Sequence, residues 1–153
     1  MRSFVCFVVM VMFLFSVTSA DVIETNAINQ VTKIISLMNS MQCNSLPDAF
    51  VDGNNAVVMS NNQTMSPVQL CISAVAAYDN YFLSMNPADM IVARELNTVI
   101  GTATFNGSIN GTEFTYLFVI SAEVKLSDQP KNLSPQVISA RIYYDTEFVS
   151  NLF

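Results

Sequence analysis

The sequence predicts an α+β domain, helices first and a meandering antiparallel sheet after them. Three observations carry this. Apolar residues recur at helical spacing in two segments of the first half, around Ile28 to Met38 and Val68 to Leu83. From Gly101 onward they alternate instead, in the runs Thr102 to Phe105, Thr112 to Leu126 and Gln136 to Asp145. A chain of 153 residues is long enough for one domain with a proper core and too short for two comfortable ones.

The domain is expected to begin after a leader. Arg2 precedes an almost wholly apolar run from Phe4 to Val17, and Thr18-Ser19-Ala20 supplies small residues before Asp21. This order reads as a secretory signal peptide over residues 1–20, with the domain in 21–153 and an extracellular destination. A membrane anchor is the alternative, but about 14 apolar residues fall short of the roughly 20 that span a bilayer.

From Asp21 to Met41, Ile23, Ala27, Ile28, Val31, Ile34, Ile35 and Met38 fall on one helical face, with Glu24, Asn29 and Lys33 opposite. Cys43 to Val51 reads as a shorter helix or turn that stops at Asp52-Gly53. A short strand is expected over Ala56 to Ser60 and a turn at Asn61-Asn62-Gln63. Ser66-Pro67-Val68-Gln69 has the form of a capping box with proline at the first helical position, opening a helix to about Ser84. Asn86-Pro87 ends that helix. A strand is expected from about Met90 to Phe105, bent near Asn97 or Gly101, and then a hairpin loop over Asn106 to Gly111. Along the next strand Phe114, Tyr116, Phe118, Ile120, Ala122 and Val124 share one face. A polar stretch from Ser127 to Pro135 leads into the last strand.

Charge and cysteine usage narrow the function classes. Without Arg2 the chain keeps five basic residues against twelve acidic ones, a net charge of −7. Such a balance argues against nucleic acid and against an anionic membrane surface, which need clustered Lys and Arg. Cys6 belongs to the leader, leaving Cys43 and Cys71. An even pair in a secreted chain favours one disulfide, with two buried free thiols as the alternative. Four Asn-x-Ser/Thr sequons, at Asn62, Asn106, Asn110 and Asn132, are candidate glycan acceptors.

The order helix, short helix, short strand, capped helix and long antiparallel strands resembles the NTF2-like or SnoaL-like superfamily across essentially all of 21–153. Four segments carry the resemblance: Leu46 to Met59, with its short helix, Asp52 and strand; Ser66 to Gln69; Gly111-Thr112-Glu113-Phe114; and Arg141-Ile142-Tyr143-Tyr144-Asp145-Thr146. The resemblance implies a strongly bent antiparallel sheet wrapped by N-terminal helices around a conical pocket, often in a homodimer packed through the sheet. Members of the superfamily include isomerases, cyclases, hydrolases and modules without a reaction. The enzymes place a carboxylate in the pocket, where burial raises its pKa enough for general-base work.

By that resemblance Asp145 is the best-matched catalytic candidate, with Arg141 and Tyr143 on the same strand face. The same trio could form a salt bridge and hydrogen bonds that fasten the sheet, and Asp145 could cap a terminal helical turn. The structural reading is favoured. The chain contains no His, which removes the His-assisted members as models. Arg94-Glu95 only loosely approximates the hydrolase pattern, since neighbouring strand residues face opposite ways. No zinc cluster, Cys-His nucleophile, Gly-x-Ser-x-Gly elbow or phosphate loop is present, so no metal or cofactor is implied.

Tyr78 and Phe82 on the capped helix, with Phe114, Tyr116 and Phe118, could line a ligand pocket or simply form the core. The sequence thus points first to a secreted, non-catalytic module that binds a small apolar ligand or a protein partner. The alternative is an isomerase, cyclase or hydrolase using Asp145 as general base. A homodimer is a further possibility, and no membrane contact is expected once the leader is removed.

Overall fold

The computed structural model describes residues 22–126 and 136–144. The leader, the Asn132 sequon and Asp145 lie outside the described residues.

Residues 22–39 form helix α1. Ala27, Val31, Ile34, Ile35 and Met38 are buried along its length, at the spacing that keeps one stripe facing inward. Each large side chain of that stripe contributes about 1.5–3 kcal/mol by leaving water. A 3-10 helix, Cys43–Ala49, follows and is tied by the Cys43–Cys71 disulfide to helix α2, Pro67–Ala77. The capping box of α2 forms as expected. The Gln69 N–H donates to the Ser66 hydroxyl at 3.2 Å, and the Ser66 N–H donates to Gln69 Oε1 at 3.0 Å. Among the described residues no helix is long and apolar enough to cross a membrane.

Among the described residues seven strands make one sheet: β1 Val57–Ser60, β2 Gln63–Met65, β3 Asn80–Met85, β4 Ile91–Ala93, β5 Thr98–Ile109, β6 Thr112–Val124 and β7 Val137–Tyr144. The strand order is β2-β1-β7-β6-β5-β3, with β4 also pairing β5. β5 and β6 form the long central hairpin, and a bulge between Glu123 and Val124 shifts the β6–β7 register. Inward side chains line up in rows across the ladders. One runs Val58, Ala140, Ala122, Val99, and another Leu83, Phe105, Tyr116.

A third row runs Tyr81, Gly107, Phe114, and its central glycine explains the aromatic packing. A Cβ on Gly107 would stand 2.6 Å from Phe105 Cε1 and 3.0 Å from Phe114 Cζ. The vacant position admits the Phe105 ring, which stacks on Tyr81 at 5.7 Å and on Phe114 at 6.0 Å. Two asparagine amides then bond a strand backbone as another strand would, one at the end of α1 and one in the β1–β2 turn. Asn39 accepts from the Leu83 N–H at 2.7 Å and donates to its carbonyl at 2.8 Å. Asn61 treats Tyr144 the same way, at 3.1 and 3.3 Å.

The structure departs from the sequence expectations at four places. Helix α2 stops at Ala77 rather than Ser84, and Asn80–Met85 is strand β3. There Tyr81 and Leu83 are buried while Phe82 is exposed, a period of two, and the Asp79 N–H donates to the Ser108 carbonyl at 2.9 Å to start the ladder with β5. The expected strand from Met90 is broken by a 3-10 turn, Arg94–Leu96, closed by Asn97 at φ 49°. The bend therefore lies at Asn97, and Gly101 is an ordinary ladder position opposite Ile120. The expected six-residue loop before Thr112 shrinks to the Asn110-Gly111 turn, whose φ values of 51° and 76° suit the tight hairpin that Asn-Gly favours. Finally, β1 runs parallel to β7, so the sheet is mixed rather than wholly antiparallel.

Candidate functional site

The rows of inward side chains stop short of filling the space between sheet and helices. A cavity of about 260 Å3 remains. Val31, Ile34, Ile35 and Met38 of α1 form one wall, and Leu70, Ser73, Ala74 and Ala77 of α2 form another. Val58, Leu83, Phe105, Phe118, Ile120 and Ile142 supply the sheet side, with Leu46 and Phe50 from the chain between α1 and β1. A lining drawn from both helices and from strands at both ends of the order requires the sheet to curve around it. The disulfide holds the 3-10 helix against α2, so both caps over the cavity are tethered to each other.

The polar groups in the lining are few and neutral: Ser60, Gln63, Ser73 and the tyrosines Tyr78, Tyr116 and Tyr144. Tyr116 shares a hydrogen bond with Tyr78. Burial, together with the neighbouring Tyr78 and Tyr144 phenols, pushes the Tyr116 hydroxyl well above the ordinary tyrosine value. Tyr81 is also raised by burial, and its hydroxyl donates to the Met38 carbonyl at 2.8 Å. Among the described lining residues there is no Asp, Glu, Lys or Arg. Nor do the described residues contain a group of three His, Cys, Asp or Glu side chains placed to hold a metal ion.

Of the residues expected to line a pocket, Tyr78, Tyr116 and Phe118 do so. Phe114 stands behind them, stacked on Tyr116 at 6.1 Å and on Phe105. Phe82 lies on the other face of β3 and is 55% exposed, because it belongs to a strand and not to the helix. Arg141 and Tyr143 also stand on the outer face, since Ala140, Ile142 and Tyr144 are the β7 residues that meet the cavity. Asp145, their proposed companion, lies outside the described residues. Tyr144, Phe105 and Ser60 were missed as cavity residues. The signal for Tyr144 was present in the alternation Ala140, Ile142, Tyr144, which continues the apolar face of β6.

The sequons differ in setting. Asn62 is exposed in the β1–β2 turn, and Asn110 is exposed in the β5–β6 turn. Asn106 sits within β5, where its Oδ1 accepts from the Thr115 hydroxyl at 2.8 Å.

No family model and no curated protein matches the chain. Solved structures do. PrhC from Penicillium brasilianum superposes with a TM-score of 0.69 at 9% identity, over 85% of this chain and 87% of that one. BvnE pinacolase from Penicillium brevicompactum gives 0.66 at 10% identity, over 84% and 89%. An NTF2-like protein of unknown function from an Exiguobacterium species gives 0.58 at 13% identity, over 76% and 98%. With its helices laid against an open mixed sheet that curves around a cavity, and with these structural relatives, the chain has the NTF2-like fold.

Proposed function

We propose that the protein is a secreted, non-catalytic binding module whose cavity takes a small apolar ligand. The observation that carries this is the cavity itself: about 260 Å3, walled mainly by aliphatic and aromatic side chains, with no ionisable carboxylate among its described lining residues. The sequence-based leader over residues 1–20 and the disulfide support an oxidising, extracellular setting. Asn62 and Asn110 are the glycan acceptors this reading favours, because both stand exposed in turns. Native mass spectrometry of the secreted protein tests the reading. A reproducible co-purifying small molecule is expected, whereas a protein that stays empty and takes up no apolar probe would overturn it.

Enzymes stand among the structural relatives, including the pinacolase and an epoxide hydrolase of the LEH-like type from M. tuberculosis. The catalytic alternative for this chain uses Asp145 as general base with Arg141 or Tyr143. It draws no support from the described lining, because Arg141 and Tyr143 occupy the outer face. Retention of any isomerase or hydrolase turnover by wild type and its loss in Asp145→Asn would establish that alternative. A homodimer packed through the outer sheet face is supported by the exposed Ile91, Ile100, Leu117 and Val119. Light scattering at micromolar concentration tests it, and a monomer would sink it.

A further inference from the structure

We propose that Asn106 carries an N-linked glycan whose sugars cover the outer sheet face around Phe82 and Leu117 and keep it from packing on a second copy. The proposal rests on the chain being secreted, and it adds what shields an exposed apolar surface.

The strand register leads there. The sequon Asn106-Gly107-Ser108 lies inside β5 and not in a turn. Alternation puts Phe105 and Gly107 on the inner face and Asn106 on the outer one, where it is exposed. Its amide is already oriented for attachment. Oδ1 accepts from the Thr115 hydroxyl at 2.8 Å across the β5–β6 ladder, and Nδ2 has no hydrogen-bond partner among the described residues. Attachment uses that nitrogen. The Nδ2–C1 bond forms as the C1–oxygen bond of a lipid-diphosphate-linked oligosaccharide breaks, and the amide proton leaves with the diphosphate. The Thr115 contact survives, because it uses the oxygen alone.

The surroundings suit a sugar. Phe82 on β3 stands directly opposite Asn106, and the Cβ atoms of such pairs lie about 4.5–5.5 Å apart. The first sugar ring then lies beside an exposed phenyl ring, whose face takes the C–H side of a pyranose. Leu117 is one row further along the same face, opposite Thr104. Since β3 ends the strand order, the sugars can run out over its edge. Asn62 and Asn110 stand in turns, so glycans there do not rise from this face.

Exposed apolar residues grouped in this way otherwise mark an interface or an aggregation hazard. Sheets packed face to face stand about 10 Å apart with side chains filling the gap, which leaves no room for an oligosaccharide. The glycan and a homodimer packed through this end of the face therefore exclude one another. Burying the unpaired Asn106 nitrogen in an interface is costly, whereas the glycan uses it.

The test expresses the full chain in cells that glycosylate secreted proteins and removes the glycans with an amidase in heavy-oxygen water. Each formerly occupied Asn then appears in peptide spectra as labelled Asp. Asn106 is expected to carry the label in most molecules, above an untreated control, and light scattering is expected to find a monomer. Ser108→Ala abolishes the sequon but keeps the Asn106–Thr115 hydrogen bond, and should self-associate about tenfold more tightly. Wild type stripped of its sugars should do the same, so the comparison stands even if the variant fails to fold. An unlabelled Asn106 on protein recovered from the medium would overturn the proposal and leave secretion standing. Protein that stays in the cell without sugar at any sequon would overturn the secretion reading with it. Equal self-association with and without the glycan would overturn the shielding.

Discussion

Leu117 and Phe118 are neighbours on β6, yet Leu117 is 69% exposed and Phe118 only 6%. The difference runs the length of the sheet. On the inner face the rows of β3, β5, β6 and β7 interlock through stacked rings and meet the cavity. On the outer face the same strands present Leu117, Val119, Ile100 and Tyr143 among Thr102 and Thr104, with no helix laid over them among the described residues. The backbone ladder is common to both. What separates them is what the second layer covers, and the stability of this domain should follow that division.

The largest expected effect breaks the pair directly. Phe118→Ala removes a buried ring from the inner face and should cost about 3–5 kcal/mol. Leu117→Ala should stay within about 0.5 kcal/mol at dilutions where light scattering finds monomer. Urea melts of both variants check this, and a large, concentration-dependent loss for Leu117→Ala would instead identify the outer face as an interface.

Next in size is the tether over the inner face. Cys43 and Cys71 are 28 residues apart, and the loop-entropy estimate gives about 3–4 kcal/mol for closing a loop of that length. The Cys43→Ser, Cys71→Ser double variant should lose that much in urea and should also bind apolar probes less tightly, because both caps of the cavity are freed. Unchanged probe affinity would mean that the caps are set by packing alone.

How far the sequence showed this division depends on the range of the signal. The inner face of β6, Phe114 to Val124, is written in alternation along one strand and was readable. So were the α1 stripe, the capping box at Ser66 and the cysteine pair, all fixed by local spacing or by simple pairing. The end of α2 was not. Tyr78 to Ser84 has no breaker, and it becomes a strand because β5 offers a partner ladder from Ala103 to Ser108. Phe82 was therefore assigned to the cavity when it belongs outside. The terminal strand misled in another way. Arg141, Tyr143 and Asp145 drew attention as a chemical set, while the cavity takes the plainer Ala140, Ile142 and Tyr144. Gly107 read as a loop residue, and its use as a slot for Phe105 depends on cross-strand register.

That slot gives the third prediction. Gly107→Ala places a methyl where ring atoms of Phe105 and Phe114 already stand, and the rings are held by their own stacking. The expected cost is about 1–3 kcal/mol. Gly101→Ala is the control on the same face of β5. Its Cβ would meet Met90 Cγ at 3.0 Å and Met85 Sδ at 3.4 Å, unbranched side chains that can give way. It should therefore lose less than Gly107→Ala in parallel melts. Equal losses would mean that the aromatic stack is no stiffer than the methionines.

The smallest effect tests the inner face through its protons. Tyr116 has its hydroxyl raised above the ordinary tyrosine value of about 10 by burial and by the Tyr78 and Tyr144 phenols. In the unfolded chain the same phenol ionises near that ordinary value, so above it the folded state holds more protons than the unfolded one. Stability is then fully present below about pH 10 and falls as pH rises beyond it, by at most about 1.4 kcal/mol per pH unit and by less for a phenol only partly shielded from water. Urea midpoints taken across that range should decline for wild type and decline less steeply for Tyr116→Phe. Tyr81, raised by burial on the same face, supplies a remaining slope in that variant. An identical slope in wild type and variant would show that Tyr116 is no better shielded than a tyrosine of the outer face, and the contrast between the two faces would then rest on packing alone.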